Sequence, residues 1–236
     1  MNNRIQKKIL DIVLSLLLLI LCSPLIIVLL TISYIITKRV PVFIQERKLS
    51  LDGKKIKMIK IRTLKGMEQK FETVNNSCQV LFRHDLRKYV PPFCRWLRKS
   101  GLDEITQLIN VLKGEMSLVG PRPLTITDLE IMKNDELEIY RRRERIKSKP
   151  GITGYWQLFG DRNKGLENIV ALDEYYEKRK SFLFDLRLLF FTTVIVIKAK
   201  HSDSIIDEQK VKTRIFPAFD TDKKGLFSWL SEYVTL

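Results

Sequence analysis

Residues 12–36 read IVLSLLLLILCSPLIIVLLTISYII, and none of these 25 positions carries a charged side chain. As a straight α-helix the segment would extend about 38 Å, which exceeds the roughly 30 Å hydrocarbon core of a bilayer. It is also longer than the apolar core of a secretory signal peptide, which is about 7 to 15 residues. The segment therefore predicts a membrane helix, and we assign residues 1–40 to a membrane anchor.

Ser23 and Pro24 interrupt the middle of this segment. A proline inside a helix removes a backbone hydrogen bond, and a neighbouring serine hydroxyl can satisfy the carbonyl that is freed. Basic residues flank both ends, so the positive-inside rule favours the cytoplasmic side for each of them. We therefore expect a re-entrant helical hairpin that breaks at Ser23-Pro24 and dips into one leaflet, with a kinked membrane-spanning helix as the alternative.

The rest of the chain predicts an α+β fold. Residues 41–64 read as two strands joined at Asp52-Gly53, a typical hairpin turn. Apolar periodicity predicts a helix over residues 97–112, and residues 127–147 and 168–180 are also expected to be helical. Residues 182–198 contain the apolar run from Leu188 to Ile197, which is too short to cross a bilayer and is suited to lying on its surface. We expect a small, mainly helical cytoplasmic domain over residues 41–200, with interfacial amphipathic helices, and a tail over residues 201–236.

The composition and the missing motifs exclude several kinds of functional site. The 42 Lys and Arg residues outnumber the 27 Asp and Glu residues, and the formal charge of +15 suits anionic partners such as phosphates, nucleic acid or acidic lipid. Three cysteines without a CxxC spacing and two histidines without an HExxH motif argue against a zinc site and a disulfide framework. The GxxxxGK[ST] and GxGxxG motifs are both missing, which excludes a P-loop and a dinucleotide fingerprint. Any general acid–base catalysis would therefore depend on carboxylate side chains.

Asp103 and Glu104 are the first candidates for catalytic carboxylates. One interpretation is structural, because Ser100 followed by Asp103 fits a capping box and acidic residues are favoured at a helix N-terminus. The other is that one carboxylate binds a divalent cation or acts as a nucleophile while its neighbour tunes it or handles a proton.

Arg122 lies between Pro121 and Pro123, and a guanidinium on such a stiff turn is well suited to bind phosphate. The competing interpretation is a surface turn with a solvated arginine. Four further cations are either phosphate ligands or solvated surface charges, and they are Lys60, Arg62, Arg98 and Arg162. The run from Arg141 to Arg145 predicts a solvated helical face or a site for anionic headgroups.

Several motifs occur in a fixed order along the chain. They are Ser23-Pro24, Lys60-Ile-Arg62-Thr63, Leu102-Asp-Glu104, the stretch QLINVLKGEMSLVGPRP from Gln107 to Pro123, and Pro150-Gly-Ile-Thr-Gly154. Together they resemble the bacterial sugar transferases, the monotopic polyprenyl-phosphate phosphoglycosyl transferases. The resemblance covers about residues 4–200, and residues 102–123 are its most specific part.

This resemblance implies transfer of a sugar-1-phosphate from a UDP-sugar to undecaprenyl phosphate, with release of UMP, at the inner leaflet of the bacterial cytoplasmic membrane. Such a reaction begins capsule, exopolysaccharide, O-antigen or glycoprotein glycans. Downstream glycosyltransferases and a second copy of the chain are further candidate partners, and nucleic acid is not expected as one.

The resemblance also implies roles for single residues. Asp103 corresponds to the nucleophile that forms a covalent phospho-sugar intermediate, with Glu104 beside it and Mg²⁺ bound at Asp103. Lys60, Arg98 and Arg122 correspond to positive positions of the active site.

The chain departs from the family pattern at four places. They are Gly101 where serine is common, Thr106 where proline is common, the Gly160–Asn163 loop that holds Arg162, and Leu49-Ser50 where a glycine is usual. Two other classes of function stay open beside the enzyme. One is a membrane-tethered basic protein that binds nucleic acid or acidic lipid without catalysis. The other is an inactive scaffold of a glycan assembly complex.

Overall fold

The computed structural model describes residues 3–65, 90–161 and 164–197. Its elements are α1 (Asn3–Thr37), β1 (Val42–Arg47), β2 (Ile56–Ile61), α2 (Pro92–Ser100), a 3₁₀ helix (Leu102–Gln107), α3 (Leu108–Leu112), β3 (Ser117–Val119), α4 (Ile126–Asp135), α5 (Leu137–Glu144), β4 (Gly151–Thr153), α6 (Tyr155–Phe159), α7 (Gly165–Arg179) and α8 (Phe182–Ile197). Helices dominate and the strands form two small pairs, which confirms the α+β class. The predicted tail over residues 201–236 lies outside the described residues.

Helix α1 is one long apolar helix, and Pro24 lies inside it. Because proline has no N–H, it cannot donate to the carbonyl of Ile20, which is the usual acceptor four residues earlier. The Ser23 hydroxyl donates to this carbonyl instead, at 2.8 Å. Helix α1 therefore continues through Ser23-Pro24, where the sequence predicted a break between two helices. Among the described residues, this helix alone is long and apolar enough to cross a membrane, by length and composition.

Both ends of α1 contact the rest of the protein, while its middle is largely exposed. Asp11 is buried near the first end, where its carboxylate accepts hydrogen bonds from the Ser117 hydroxyl and the Leu118 N–H. Ser33 is buried near the other end, and its hydroxyl donates to the carbonyl of Arg62 at 2.7 Å. The exposed apolar side chains between the two ends are Leu16, Leu17, Ile20, Leu21, Leu25, Ile27 and Val28. The most apolar part of the helix thus has little protein to pack against.

Strands β1 and β2 form the predicted antiparallel hairpin. Their register runs from Val42 opposite Ile61 to Arg47 opposite Ile56. The connection turns where Gly53 N–H donates to the Ser50 carbonyl at 3.0 Å, at the predicted Asp52-Gly53 turn. The hairpin that the sequence predicted over residues 41–64 is therefore confirmed.

Strands β3 and β4 form a short parallel pair that the sequence analysis did not predict. A side chain at Gly120 would place its Cβ only 2.2 Å from the Lys149 carbonyl oxygen and 2.8 Å from Gly151 N. A Cβ at Gly154 would lie 2.0 Å from the Gly120 carbonyl oxygen. The glycines of the VGPRP and PGITG motifs are therefore explained by the close approach of these two backbones.

The predicted helix over residues 97–112 is divided in the structure. Gly101 adopts a left-handed conformation with φ of 73°, which ends α2 and starts the 3₁₀ helix. The predicted capping box at Ser100 and Asp103 is not formed, because the 3₁₀ helix begins at Gly101 without a side-chain cap. The predicted helix over residues 127–147 is likewise divided, into α4 and α5. Apolar spacing alone did not reveal these interruptions, because both sides of each break keep an apolar face.

Two of the apolar clusters among the described residues position the site. The larger joins α4, α5, α6 and α7, and its buried members are Leu124, Leu129, Met132, Tyr140, Trp156, Leu166, Ile169 and Val170. In the smaller one, Leu29 of α1 packs with Ile61 of β2 and Leu97 of α2. The smaller cluster joins α1 to the hairpin and to the segment that precedes Asp103.

Candidate active site

Asp103 and Glu104 lie in the first turn of the 3₁₀ helix. The exposed fraction of Asp103 is 8%, so this carboxylate is largely shielded from solvent. Gly101 makes this placement possible, because its left-handed backbone redirects the chain two residues before Asp103. The structure therefore places the predicted carboxylate pair at a backbone turn.

Lys60 reaches the carboxylate pair from β2. Its ammonium Nζ donates to Glu104 Oε1 at 2.5 Å, and both side chains are mostly buried. A buried charge is tolerated when an opposite charge and hydrogen bonds compensate it. The structure thus brings together two of the residues that the sequence singled out, and it places a cation at Glu104, the residue that follows Asp103 in the chain.

Two buried polar side chains hold β2 against the carboxylate segment. Thr106 donates its hydroxyl to the Ile59 carbonyl at 2.8 Å, a bond that proline could not make. The Asn110 amide accepts from Ile59 N–H at 3.1 Å and donates to the Lys57 carbonyl at 2.8 Å. Because these bonds are made to Lys57 and Ile59, directly before Lys60 in β2, they hold the strand from which the ammonium reaches Glu104. The motif contained Asn110, but its role required the tertiary contact.

Arg98 lies in the last turn of α2 and donates to the Thr63 hydroxyl at 2.9 Å. Cys94 lies in the same helix, one turn before Arg98, and its thiol is buried. Burial raises the pKa of this thiol, the Arg98 charge lowers it and the Asp103 charge raises it. Arg98 and Asp103 therefore lie within electrostatic reach of the same buried sulfur.

Arg62 is held on the hairpin. Its guanidinium lies over the Phe43 ring at 5.6 Å, and its Nε donates to the Val40 carbonyl at 2.6 Å. Its predicted phosphate-binding role stays a prediction. Arg162, the fifth predicted cation, lies outside the described residues.

Arg122 belongs to a second group of residues at the end of β3. Its guanidinium carbon lies 5.0 Å from the centre of the Trp156 ring, which is a cation–π distance. Its backbone N–H points to the Asp173 carboxylate, with N···O distances of 3.3 and 3.4 Å. The sequence predicted a stiff turn at Arg122, whereas Trp156 and Asp173 were not assigned to it.

Arg143 corrects the interpretation of the arginine run. Arg141 and Arg145 are exposed as expected of a solvated face, but Arg143 is fully buried and pairs with Asp173 at 3.0 Å. Burial lowers the pKa of Arg143 and raises the pKa of Asp173 to about 6, while the charge of each partner opposes the change in the other. The sequence of residues 141–145 indicated a polar helical face. It could not show that Asp173 of α7 would pair with Arg143.

The donor set can be compared with what Mg²⁺ requires. Mg²⁺ is usually bound by one or two carboxylates together with substrate phosphates. Asp103 and Glu104 supply two adjacent carboxylates, which fits such a site. Within residues 3–65, 90–161 and 164–197 there is no cluster of three or more His, Cys, Asp or Glu side chains that could form an all-protein metal cage.

Comparison with known proteins agrees with these motifs. The family model described as "Bacterial sugar transferase" matches residues 2–199. The chain is 35% identical over 195 residues to the UDP-glucose:undecaprenyl-phosphate glucose-1-phosphate transferase of Escherichia coli (strain K12), a match that covers 80% of this chain and 40% of that protein. It is 32% identical over 206 residues to the undecaprenyl-phosphate galactose phosphotransferase of Salmonella typhimurium, covering 84% and 41%.

A shorter relative matches over most of its length. The chain is 31% identical over 208 residues to the exopolysaccharide production protein ExoY of Sinorhizobium fredii, covering 84% of this chain and 88% of that protein. The chain thus spans about two fifths of the first two relatives and most of the third. The resemblance inferred from the motifs is confirmed, and the chain belongs to the bacterial sugar transferase family.

Proposed function

We propose that the chain transfers a sugar-1-phosphate from a UDP-sugar to undecaprenyl phosphate and releases UMP. Family membership supports the reaction class, and two relatives are named for transfer of glucose-1-phosphate or galactose phosphate to this lipid carrier. The observation that carries the proposal is the largely buried Asp103, whose neighbour Glu104 is paired with Lys60. The name of the ExoY relative supports a place in exopolysaccharide synthesis.

The reaction takes place in two steps at Asp103. A carboxylate oxygen of Asp103 attacks the phosphorus that carries the sugar, the bond from that phosphorus to the bridging oxygen breaks, and UMP leaves with this oxygen. A phosphate oxygen of undecaprenyl phosphate then attacks the same phosphorus and displaces the carboxylate. The products are a lipid-linked diphosphate sugar and free Asp103, and ping-pong kinetics follow.

The neighbours of Asp103 reduce the repulsion between anions. Lys60 places an ammonium at Glu104, and Arg98 brings a second cation to the Thr63 hydroxyl, just after β2. Preorganised cations of this kind stabilise negative charge on phosphoryl oxygens without reorganisation during the reaction. Asp103 with Glu104 would hold Mg²⁺, which supplies further neutralisation of the diphosphate.

The membrane helix places this chemistry at the lipid headgroups. We propose that α1 enters and leaves the cytoplasmic leaflet of the inner membrane and bends around Pro24. This is supported by the contacts of both ends with the described domain, at Asp11 and at Ser33, and by the exposed apolar middle. A phosphate headgroup at the interface is then within reach of a site that never crosses the bilayer.

The test of the chemistry is Asp103→Asn, with Asp135→Asn as the matched control at an exposed carboxylate of α4. Both purified variants are incubated with undecaprenyl phosphate and a panel of UDP-sugars, and UMP release is measured. We expect turnover to vanish in Asp103→Asn and to persist in the control. Wild-type protein given donor alone should gain the mass of one sugar-phosphate, and its absence while product accumulates would refute the covalent step.

The test of topology uses single cysteines in place of Asn2 and Arg39 in a chain whose own cysteines are serine. Re-entry predicts that a membrane-impermeant maleimide leaves both positions unlabelled in intact cells and labels both after lysis. External labelling of either position in intact cells would favour a spanning helix. A non-catalytic basic protein would instead show salt-sensitive lipid or nucleic-acid binding and no UMP release with any donor.

A further inference from the structure

A buried ion pair lies outside the Asp103–Glu104 site. Arg143 of α5 and Asp173 of α7 both have side chains with an exposed fraction of 0%, and the Arg143 Nη1 to Asp173 Oδ2 distance is 3.0 Å. A buried ion pair contributes little to stability compared with apolar side chains of similar size, because both charges lose their hydration. Packing of α5 on α7 alone therefore does not explain why charges occupy these positions.

The ion pair contacts the backbone of Arg122 at both of its polar groups. Arg143 donates through Nη2 to the Arg122 carbonyl, and the Asp173 carboxylate accepts from the Arg122 N–H. Because Pro121 and Pro123 have no N–H, this is the one backbone donor of the Pro-Arg-Pro turn. The turn is therefore fixed from outside, by two side chains that come from different helices.

The same guanidinium also fixes a second segment. Arg143 Nε donates to the Leu49 carbonyl at 2.8 Å, so the loop after β1 is joined to the Arg122 turn. A planar guanidinium can hold three acceptors at fixed angles, which lysine cannot do. Arg143 thus sets the relative positions of the β1 loop, the Arg122 turn and α7.

The direction of the Arg122 side chain follows from this arrangement. Its guanidinium lies over Trp156, which belongs to the larger apolar cluster. With the backbone held by Arg143 and Asp173, the side chain reaches the Trp156 ring and loses little further conformational freedom. A cation held in this way binds a diphosphate with a smaller entropy penalty than one on a flexible loop.

We propose that Arg143 and Asp173 are positioning residues that hold Arg122 in the orientation in which it binds the diphosphate of the sugar donor. The substrate in this statement rests on the proposed function, whereas the positioning itself is a property of the fold. The positioning of Arg122 and its binding of the donor diphosphate are therefore tested by two separate measurements.

The first measurement needs no substrate. The chain contains three tryptophans, and 5-fluorotryptophan labelling gives a ¹⁹F resonance for Trp156 that the Trp156→Phe variant identifies. Arg122→Ala should move this resonance in the wild-type background. In Arg143→Met/Asp173→Leu, which leaves no unpaired buried charge, Arg122→Ala should no longer move it. A shift of equal size in both backgrounds would overturn the positioning role.

A neighbouring ion pair on the same two helices supplies the control. Arg142 and Glu174 also join α5 to α7, at 2.6 Å, but they are partly exposed and make no contact with Arg122 among the described hydrogen bonds. In Arg142→Met/Glu174→Leu, the effect of Arg122→Ala on the Trp156 resonance should be the same as in wild type. Loss of the effect in this control would indicate general loosening of α5 on α7.

The second measurement is kcat/KM for the donor in the same variants. A misplaced binding group can lower the rate by about 100-fold. We expect Arg122→Ala and the Arg143/Asp173 double variant to lose similar amounts, and their combination to lose no more than either. Losses that multiply would contradict action through Arg122. If wild type shows no turnover while the ¹⁹F result holds, the proposed function fails and the positioning role stands.

A second variant protects the test against misfolding. Arg143→Lys keeps a positive charge beside Asp173 but cannot donate to the carbonyls of both Leu49 and Arg122. If the double variant does not fold, Arg143→Lys should show the same loss of the Arg122→Ala effect on the Trp156 resonance. Retention of the full effect would overturn the proposal.

Discussion

Replacing Asn110 by alanine should loosen the contact between β2 and the carboxylate segment. Asn110 is fully buried, and its amide makes three hydrogen bonds. It accepts from Ile59 N–H at 3.1 Å, donates to the Lys57 carbonyl at 2.8 Å and donates to Glu115 Oε2 at 2.7 Å. Alanine removes all three and leaves two backbone groups of β2 without this partner.

The expected loss can be worked out from these bonds. Each bond to a neutral backbone group contributes about 1 kcal/mol, and the bond to the Glu115 carboxylate contributes about 1.5–3 kcal/mol. Asn110→Ala should therefore lower the free energy of unfolding by about 3.5–5 kcal/mol. For a chain of this size, 1 kcal/mol corresponds to about 2–4 °C in Tm, so a fall of about 7–20 °C is expected.

The assay is thermal unfolding of the purified protein in nanodiscs, followed by scanning fluorimetry. Asn168→Ala is the control, because within the described part of the chain Asn168 accepts a single hydrogen bond, from Asp161 N–H at 2.8 Å, and the variant should lose only about 1 kcal/mol. At a temperature well below both transitions, Asn110→Ala should also lower UMP release, since β2 carries Lys60. A Tm equal to that of Asn168→Ala would refute the assignment of Asn110 as the link between β2 and α3.

Three further outcomes follow from the structure. Lys60→Met should lower turnover about 100-fold by removing the cation at Glu104, whereas Lys60→Arg should retain part of it; equal UMP release in both would contradict the role. Gly120→Ala should lower the Tm by about 6–12 °C, because its Cβ would lie 2.2 Å from the Lys149 carbonyl oxygen; a Tm within about 2 °C of wild type would argue against that close approach. Cys94, with the other two cysteines changed to serine, should resist alkylation until the protein unfolds, because burial shields its thiol and raises its pKa; rapid labelling of folded protein would show that the site opens.

Two of the departures of this chain from the family motif, at Gly101 and Thr106, have local explanations in the fold. Gly101 adopts the left-handed backbone that begins the 3₁₀ helix, a conformation that glycine reaches without strain. Thr106 uses its hydroxyl to bind the Ile59 carbonyl. Both changes therefore affect how the carboxylate segment is held and leave Asp103 and Glu104 themselves unchanged.

The long apolar helix, the hairpin and the motifs around Asp103 could be predicted from the sequence. Each depends on residues that are close together in the chain, such as the 25 uncharged positions of α1, the Asp52-Gly53 turn and the alternating apolar residues of β2. Hydrophobic periodicity and turn chemistry are local properties, and the motif order identified the family. The helix limits near Gly101 were less accessible, since apolar faces continue on both sides of that residue.

Tertiary structure alone decided which distant residues meet. Lys60 pairs with Glu104 across 44 positions, and Arg143 pairs with Asp173 across 30. The arginine run gave no sign that Arg143 would be buried, because its partner lies on another helix and only folding brings the two charges together. The parallel pairing of β3 with β4 is of the same kind, since it depends on two backbones that approach closely only at their glycines. Local sequence patterns therefore determined α1 and the β1–β2 hairpin, whereas long-range packing determined which side chains meet around Glu104 and Arg122.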